Sequence, residues 1–138
     1  LREAPRLAAE ERLHRRVAET LEALALAGET EGVVAAQLAH HFGKAGNDSK
    51  ALGYLLQAGD HARVIYAHQE AIAHYERAVA LQRRLDMPQA AARTLMKLGL
   101  THHNAFDYAR ARQAYEAGFE LWQHAPAPQP RRQTLLRR

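Results

Sequence analysis

Residues 51–60 read ALGYLLQAGD and residues 70–78 read EAIAHYERA, and these two stretches carry the clearest sequence evidence for the fold. When residue 55 is laid on residue 95, residues 55–87 match the later part of the chain at six identities: Leu55 with Leu95, Gly59 with Gly99, Ala71 with Ala111, Tyr75 with Tyr115, Glu76 with Glu116 and Leu81 with Leu121. A glycine inside a helix costs up to about 1 kcal/mol relative to alanine, so a repeated one predicts that a neighbouring helix comes close. Each tyrosine supplies a large ring to fill the wedge between two helices. The sequence therefore predicts an internal repeat of paired helices.

The composition supports an all-α fold. The 138 residues include 29 alanines and 18 leucines, against 12 isoleucines, valines and threonines together, a balance that favours helix over strand. Apolar residues make up 47% and charged residues 25%, which is typical of a globular domain and excludes a mainly disordered chain. We expect no strands.

Six helices are predicted, over about residues 7–27, 33–45, 49–65, 68–85, 89–103 and 108–124. Gly28 and Gly46 supply C-terminal stops. Asp107 is placed to cap the sixth helix, and Pro88 suits the first turn of the fifth. The third helix is offered N-cap oxygens by Asn47, Asp48 and Ser49. An apolar stripe on the first helix is formed by Leu13, Val17, Leu21 and Leu24.

The charge divides the chain into a body and a tail. The net charge is +4, but residues 125–138 hold four arginines and no acid, so residues 1–124 carry 15 basic and 15 acidic side chains. We therefore expect a helical repeat domain over 1–124 and a Pro/Arg-rich linker or tail over 125–138. A neutral body does not predict direct nucleic-acid binding, although a basic arm over 125–138 is an open alternative. Because the chain starts at Leu1 within a helical pattern, we expect it to be a piece of a longer protein.

No catalytic, cofactor or metal site is expected. Cysteine is absent, and there is no Gly-rich phosphate loop and no Gly-x-Ser-x-Gly motif. The nine histidines lack the spacing of a zinc-protease helix, and the adjacent pairs His40-His41 and His102-His103 point to different helix faces. A metal site built across helices, as in a metal-dependent enzyme, stays an open alternative. No apolar run reaches the length of a membrane span and no signal peptide is visible, so we expect a cytoplasmic protein without membrane partners.

The repeated residues resemble the tetratricopeptide repeat. One unit matches at Leu98-Gly99, Ala111, Tyr115 and Gly118, and another at Leu55, Ala58-Gly59, Ala71, Tyr75 and Ala78. The chain departs from the family in lacking the first-helix tryptophan and the proline after each pair. Its period, from residue 55 to residue 95, is also longer than the roughly 34 residues of the family. The resemblance implies a right-handed superhelix of stacked antiparallel helix pairs.

A second resemblance covers about residues 7–124. Residues 11–22, 36–42, 51–60 and 70–78 are similar to the segment that follows the ATPase module in bacterial signalling ATPase regulators of the MalT-like and AfsR-like kind. This implies a protein- or effector-binding module of a larger regulator, most often a transcriptional one, with an upstream ATPase domain as one partner and no catalysis of its own. The alternative is a stand-alone scaffold that mediates protein–protein interaction.

The concave surface of the predicted stack is the candidate binding site. In the predicted repeat frame, that groove is lined by His40, Lys44, Asp60, Arg63, Arg93, Met96, His103 and Asn104. Mixed charge suits a polar peptide or protein segment, or a small effector. A solvated face without a ligand is the competing interpretation.

Overall fold

The computed structural model describes residues 3–26 and 32–126. The described chain is all-helical, without strands, and its helices are α1 (Glu3–Leu26), α2 (Gly32–Lys44), α3 (Asp48–Val64), α4 (His68–Arg84), α5 (Pro88–Asn104) and α6 (Tyr108–His124). The all-α class and the number of helices are thus confirmed within this part of the chain. None of the described helices has the length and apolar character needed to cross a membrane.

The last four helices follow a strict spacing that explains the internal repeat. Each of α3, α4, α5 and α6 has 17 residues, and these helices begin at positions 48, 68, 88 and 108. The interval between successive helix starts is constant. Two such intervals equal the offset between residue 55 and residue 95, so one sequence repeat corresponds to one pair of helices. Each helix packs mainly on its neighbours along the chain.

The length of this period comes from the helices. The turns between them are short, covering only positions 65–67, 85–87 and 105–107. The excess over the roughly 34 residues of a tetratricopeptide unit therefore lies in helix and not in loop.

The helix ends follow local chemistry that the sequence shows. The side chain of Asn47 accepts a hydrogen bond from the Lys50 amide, and that of Asp107 accepts one from the Arg110 amide, as N-caps do. Pro88 lies in the first turn of α5, and Gly46 has a positive φ of 81° after α2. These predictions are confirmed. Gly28 and residues 127–138 of the expected tail lie outside the described residues.

Gly59 and Gly99 each lie against a tyrosine ring of the next helix. A Cβ atom on Gly59 would stand 2.7 Å from Cε1 of Tyr75, and one on Gly99 would stand 2.5 Å from Cε1 of Tyr115. The two glycines thus let α4 approach α3 and α6 approach α5. Tyr75 is fully buried, in a core cluster to which all of the last four helices contribute.

The apolar stripe expected on α1 is wrong in two of its four positions. Leu13 and Leu24 are 61% and 68% exposed, whereas Ala18 is fully buried and packs with Leu38 and Phe42 of α2. A terminal helix covered mainly by one neighbour buries a narrower strip than a helix packed on both sides. Among residues 5–25, Ala18 is the buried residue, and the helix also begins earlier than predicted, at Glu3.

Candidate functional site

A groove with a volume of about 430 Å³ lies between α2, α3 and α4. Its apolar lining consists mostly of small residues, namely Ala36, Ala39, Gly43, Ala51, Leu55, Ala80 and Leu81. Its polar lining consists of His40, Lys44, Asp48, His74, Arg77 and Arg84. Small side chains on the facing helices leave the space unfilled, and the long polar side chains stand around it.

The polar lining carries more positive than negative charge. Arg84 Nη2 lies 3.1 Å from Asp48 Oδ2, so these two side chains neutralise one another. Lys44 and Arg77 are exposed and make no salt bridge with any carboxylate in the described ranges. Two cations are therefore available to an anionic ligand.

His74 adds a neutral polar group to the groove. Burial lowers its pKa below the usual value, the charge of Arg77 lowers it further, and Glu70 opposes these effects. The imidazole is therefore neutral at neutral pH. Its buried Nδ1 has no hydrogen-bond partner among the described residues.

Two of the predicted groove residues, Asp60 and Arg63, lie in a different place. The Tyr75 hydroxyl donates to Asp60 Oδ1 at 2.5 Å and accepts from Arg63 Nε at 3.2 Å. Lys97 Nζ donates to both carboxylate oxygens of Asp60, at 3.0 and 3.2 Å. Burial and the hydrogen bond to Asp60 raise the pKa of Tyr75 to about 12. This network ties α3, α4 and α5 together, and it occupies polar groups of both predicted residues.

The remaining predicted residues are dispersed over the far end of the molecule. Arg93 and Met96 line an apolar pocket of about 270 Å³ with Phe119 and Trp122. His103 lies edge-on to the ring of Tyr108, with ring centroids 5.1 Å apart. Asn104 is the last residue of α5 and is exposed. Of the eight residues, only His40 and Lys44 line the groove between α2, α3 and α4.

The sequence prediction missed four polar residues of this groove, Asp48 at the start of α3 and three residues of α4. His74, Arg77 and Arg84 all lie on α4, where Leu81 completes a helical spacing along one face. That spacing is visible in the sequence. It was not used, because the predicted repeat frame assigns the binding surface to α2, α3 and α5 and not to α4.

No protein-family model matches this chain, and a search of curated proteins finds no match either. The likenesses to the tetratricopeptide repeat and to signalling ATPase regulators therefore depend on the residues quoted for them.

Proposed function

We propose that this chain is a protein-binding helical repeat module whose groove between α2, α3 and α4 holds an acidic peptide segment. The observation that carries the proposal is the pair of unneutralised cations, Lys44 and Arg77, beside a floor of small apolar residues. The small apolar residues of the lining would contact apolar side chains of the peptide, and Lys44 and Arg77 would attract its acidic side chains. A volume of about 430 Å³ lies within the range of roughly 300–1,000 Å³ that is typical of ligand sites.

The same geometry favours a peptide over a catalytic role. The described lining of the groove holds two histidines, one carboxylate paired with Arg84, and no serine or threonine. An extended or helical segment needs a surface of this open kind, with apolar and charged positions side by side.

The test uses a fluorescein-labelled peptide of alternating glutamate and leucine, with a lysine–leucine peptide of equal length as the ligand control. We expect the acidic peptide to bind with rising fluorescence anisotropy and the basic one not to bind. Arg77→Glu should weaken binding roughly three- to tenfold, because it replaces an attraction by a repulsion near the surface. Higher salt should weaken binding as well.

Arg83→Glu is the matched control, because Arg83 is also exposed on α4 but does not line the groove. It makes the same charge change on the same helix. Equal losses for the two variants would show that only net charge matters, and would overturn the assignment of the groove.

We also propose that the module belongs to a larger regulator with an ATPase domain. The similarity of residues 11–22, 36–42, 51–60 and 70–78 to such regulators supports this proposal. A peptide or effector would act as a switch only if it bound one arrangement of the stacked helices better than another. A Gly-x-x-x-x-Gly-Lys-Ser/Thr motif encoded upstream in the same reading frame is the expected finding. A start codon directly before Leu1 would favour the alternative, a stand-alone scaffold.

A further inference from the structure

Three histidine side chains meet at the interface of α1 and α2. His14 belongs to α1, and His40 and His41 are consecutive residues of α2. Nδ1 of His14 lies 3.0 Å from Nδ1 of His41. Each residue offers one ring nitrogen, and these three atoms all lie within 4.8 Å of one another.

His14 approaches the two consecutive histidines from the neighbouring helix α1 and lies close to both of them. Neighbouring side chains on a helix diverge by about 100°, which is why His40 and His41 point to different faces. His14 packs against both: its ring centroid is 5.9 Å from that of His40 and 5.3 Å from that of His41. The rings of His40 and His41 are themselves 5.2 Å apart.

The nitrogen positions suit a tetrahedral metal ion. Zn–N bonds of about 2.0–2.1 Å at tetrahedral angles place two ligand nitrogens roughly 3.3 Å apart. The pair formed by His14 and His41 is already within a few tenths of an ångström of that separation. Because the ring of His40 is exposed, we expect it to be free to rotate about its side-chain bonds and close the remaining distance.

The chemistry of the site selects a class of metal. A contact between two Nδ1 atoms requires a proton on one of them, and a metal ion takes the place of that proton. Imidazole nitrogens suit zinc, copper, nickel and iron, whereas magnesium and calcium prefer oxygen ligands. Among the described residues no carboxylate joins the cluster, so a water molecule or an added ligand would occupy the fourth position.

We propose that His14, His40 and His41 form a three-histidine site for a divalent transition-metal ion, with Zn²⁺ as the reference ion and one coordination position open. The ion would join α1 to α2, and within residues 5–25 the only residue that α1 buries is Ala18. The proposal does not depend on peptide binding. His40 also lines the groove, but His14 and His41 do not, so the two functions are separable by mutation.

The test is a calorimetric titration of the untagged full chain with Zn²⁺ in a buffer that does not chelate metals. We expect one Zn²⁺ per chain. His14→Ala, His41→Ala and His40→Ala should each weaken binding by at least roughly tenfold, since even the loss of a partner outside the ligand sphere costs that much. Co²⁺ should give the visible absorption of a tetrahedral complex in the parent chain, and this absorption should be lost in the variants.

The matched control is a variant that combines His103→Ala and His124→Ala. Both residues are exposed, lie on α5 and α6, and are outside the cluster. This variant should keep one Zn²⁺ per chain with unchanged affinity. His40→Ala removes an exposed side chain, so it keeps the test informative even if His14→Ala disturbs folding, and circular dichroism checks each variant.

Three outcomes would overturn the proposal. They are no Zn²⁺ binding by the parent chain, stoichiometric binding that survives all three histidine substitutions, and equal loss in the control variant. Thermal unfolding gives an independent readout, because a ligand that binds the folded state alone raises the melting temperature. Zn²⁺ should raise it in the parent and control chains, and raise it less in His14→Ala at the same Zn²⁺ concentration.

Discussion

Gly59 shows how one missing side chain sets the distance between two helices. A methyl group at this position would stand 2.7 Å from Cε1 and 2.9 Å from Cδ1 of Tyr75. The ring is fully buried and cannot swing away. We expect Gly59→Ala to lower the free energy of unfolding by about 1–3 kcal/mol through overpacking. Urea denaturation followed by circular dichroism measures this change.

Gly53→Ala is the control for this substitution. Gly53 is exposed within the same helix, and no atom lies within 4 Å of a Cβ placed there. It should therefore raise the free energy of unfolding by up to about 1 kcal/mol, the difference in helix propensity. If both variants were equally stable, the contact with Tyr75 would not be what keeps residue 59 a glycine.

This contact was predictable from the sequence, whereas the polar network on the same tyrosine was not. The matching of Gly59 with Gly99 and of Tyr75 with Tyr115 indicated a close approach, and the structure confirms it. The hydrogen bonds of the Tyr75 hydroxyl depend on the rotamers of Asp60 and Arg63, which no spacing reveals. Sequence reasoning therefore assigned both polar residues to a binding surface.

Each of the four described turns, which follow α2, α3, α4 and α5, places one residue in the left-handed region, and among these residues only Gly46 is a glycine. Phe106 has a φ of 63° and its side chain is 80% exposed, so the ring gains little from packing. We expect Phe106→Gly to raise the free energy of unfolding by about 1 kcal/mol, because glycine adopts this conformation without strain. The melting temperature should rise accordingly.

Gly46→Ala tests the same conformation in the opposite direction. Gly46 has a φ of 81°, and no atom lies within 4 Å of a Cβ added there, so backbone strain alone would act. This variant should lose about 1–2 kcal/mol of stability. A Gly46→Ala chain as stable as the parent would show that the turns relax freely and that their left-handed residues carry no strain.

The boundaries of α2 to α6 were predicted closely, whereas the start of α1 and the turn conformations were not. Gly46, Asn47, Pro88 and Asp107 each signal a helix end by chemistry that acts within a few residues. An aromatic residue such as Phe106 is not favoured at positive φ, so nothing local signals it. It adopts that conformation because the helices on both sides are held by packing.

At the scale of the whole molecule, the sequence predicted the elements but not how their polar faces combine. His40 and Lys44 share a groove with residues of α4, while His14 meets His40 and His41 from another helix. Both arrangements depend on the rotation of each helix about its axis, which packing decides. The spacing of His74, Arg77 and Arg84 can be seen in the sequence because these residues lie on one helix. The three-histidine cluster joins α1 and α2, and no spacing in the sequence indicates that its members meet.

The stack also predicts where the molecule opens first. In an array in which each helix packs mainly on its neighbours, a terminal helix has one main interface and an internal helix has two. Within residues 5–25, α1 buries only Ala18. Glu22 of α1 also accepts hydrogen bonds from Lys50 and Tyr54 of α3. Ion pairs that are partly exposed contribute little to the free energy of unfolding. In contrast, α4 buries Tyr75 completely and packs on both α3 and α5.

Hydrogen exchange followed by mass spectrometry should therefore show α1 exchanging by local opening while α4 and α5 exchange only with global unfolding. The variant Ala18→Gly should speed exchange in α1 and leave α4 unchanged, because it weakens the packing of Ala18 on Leu38 and Phe42 without touching α4. Protection in α1 equal to that in α4 would mean that the chain unfolds as a single cooperative unit. That result would contradict the view that each helix is stabilised mainly by its neighbours along the chain, because this view predicts the least protection for α1.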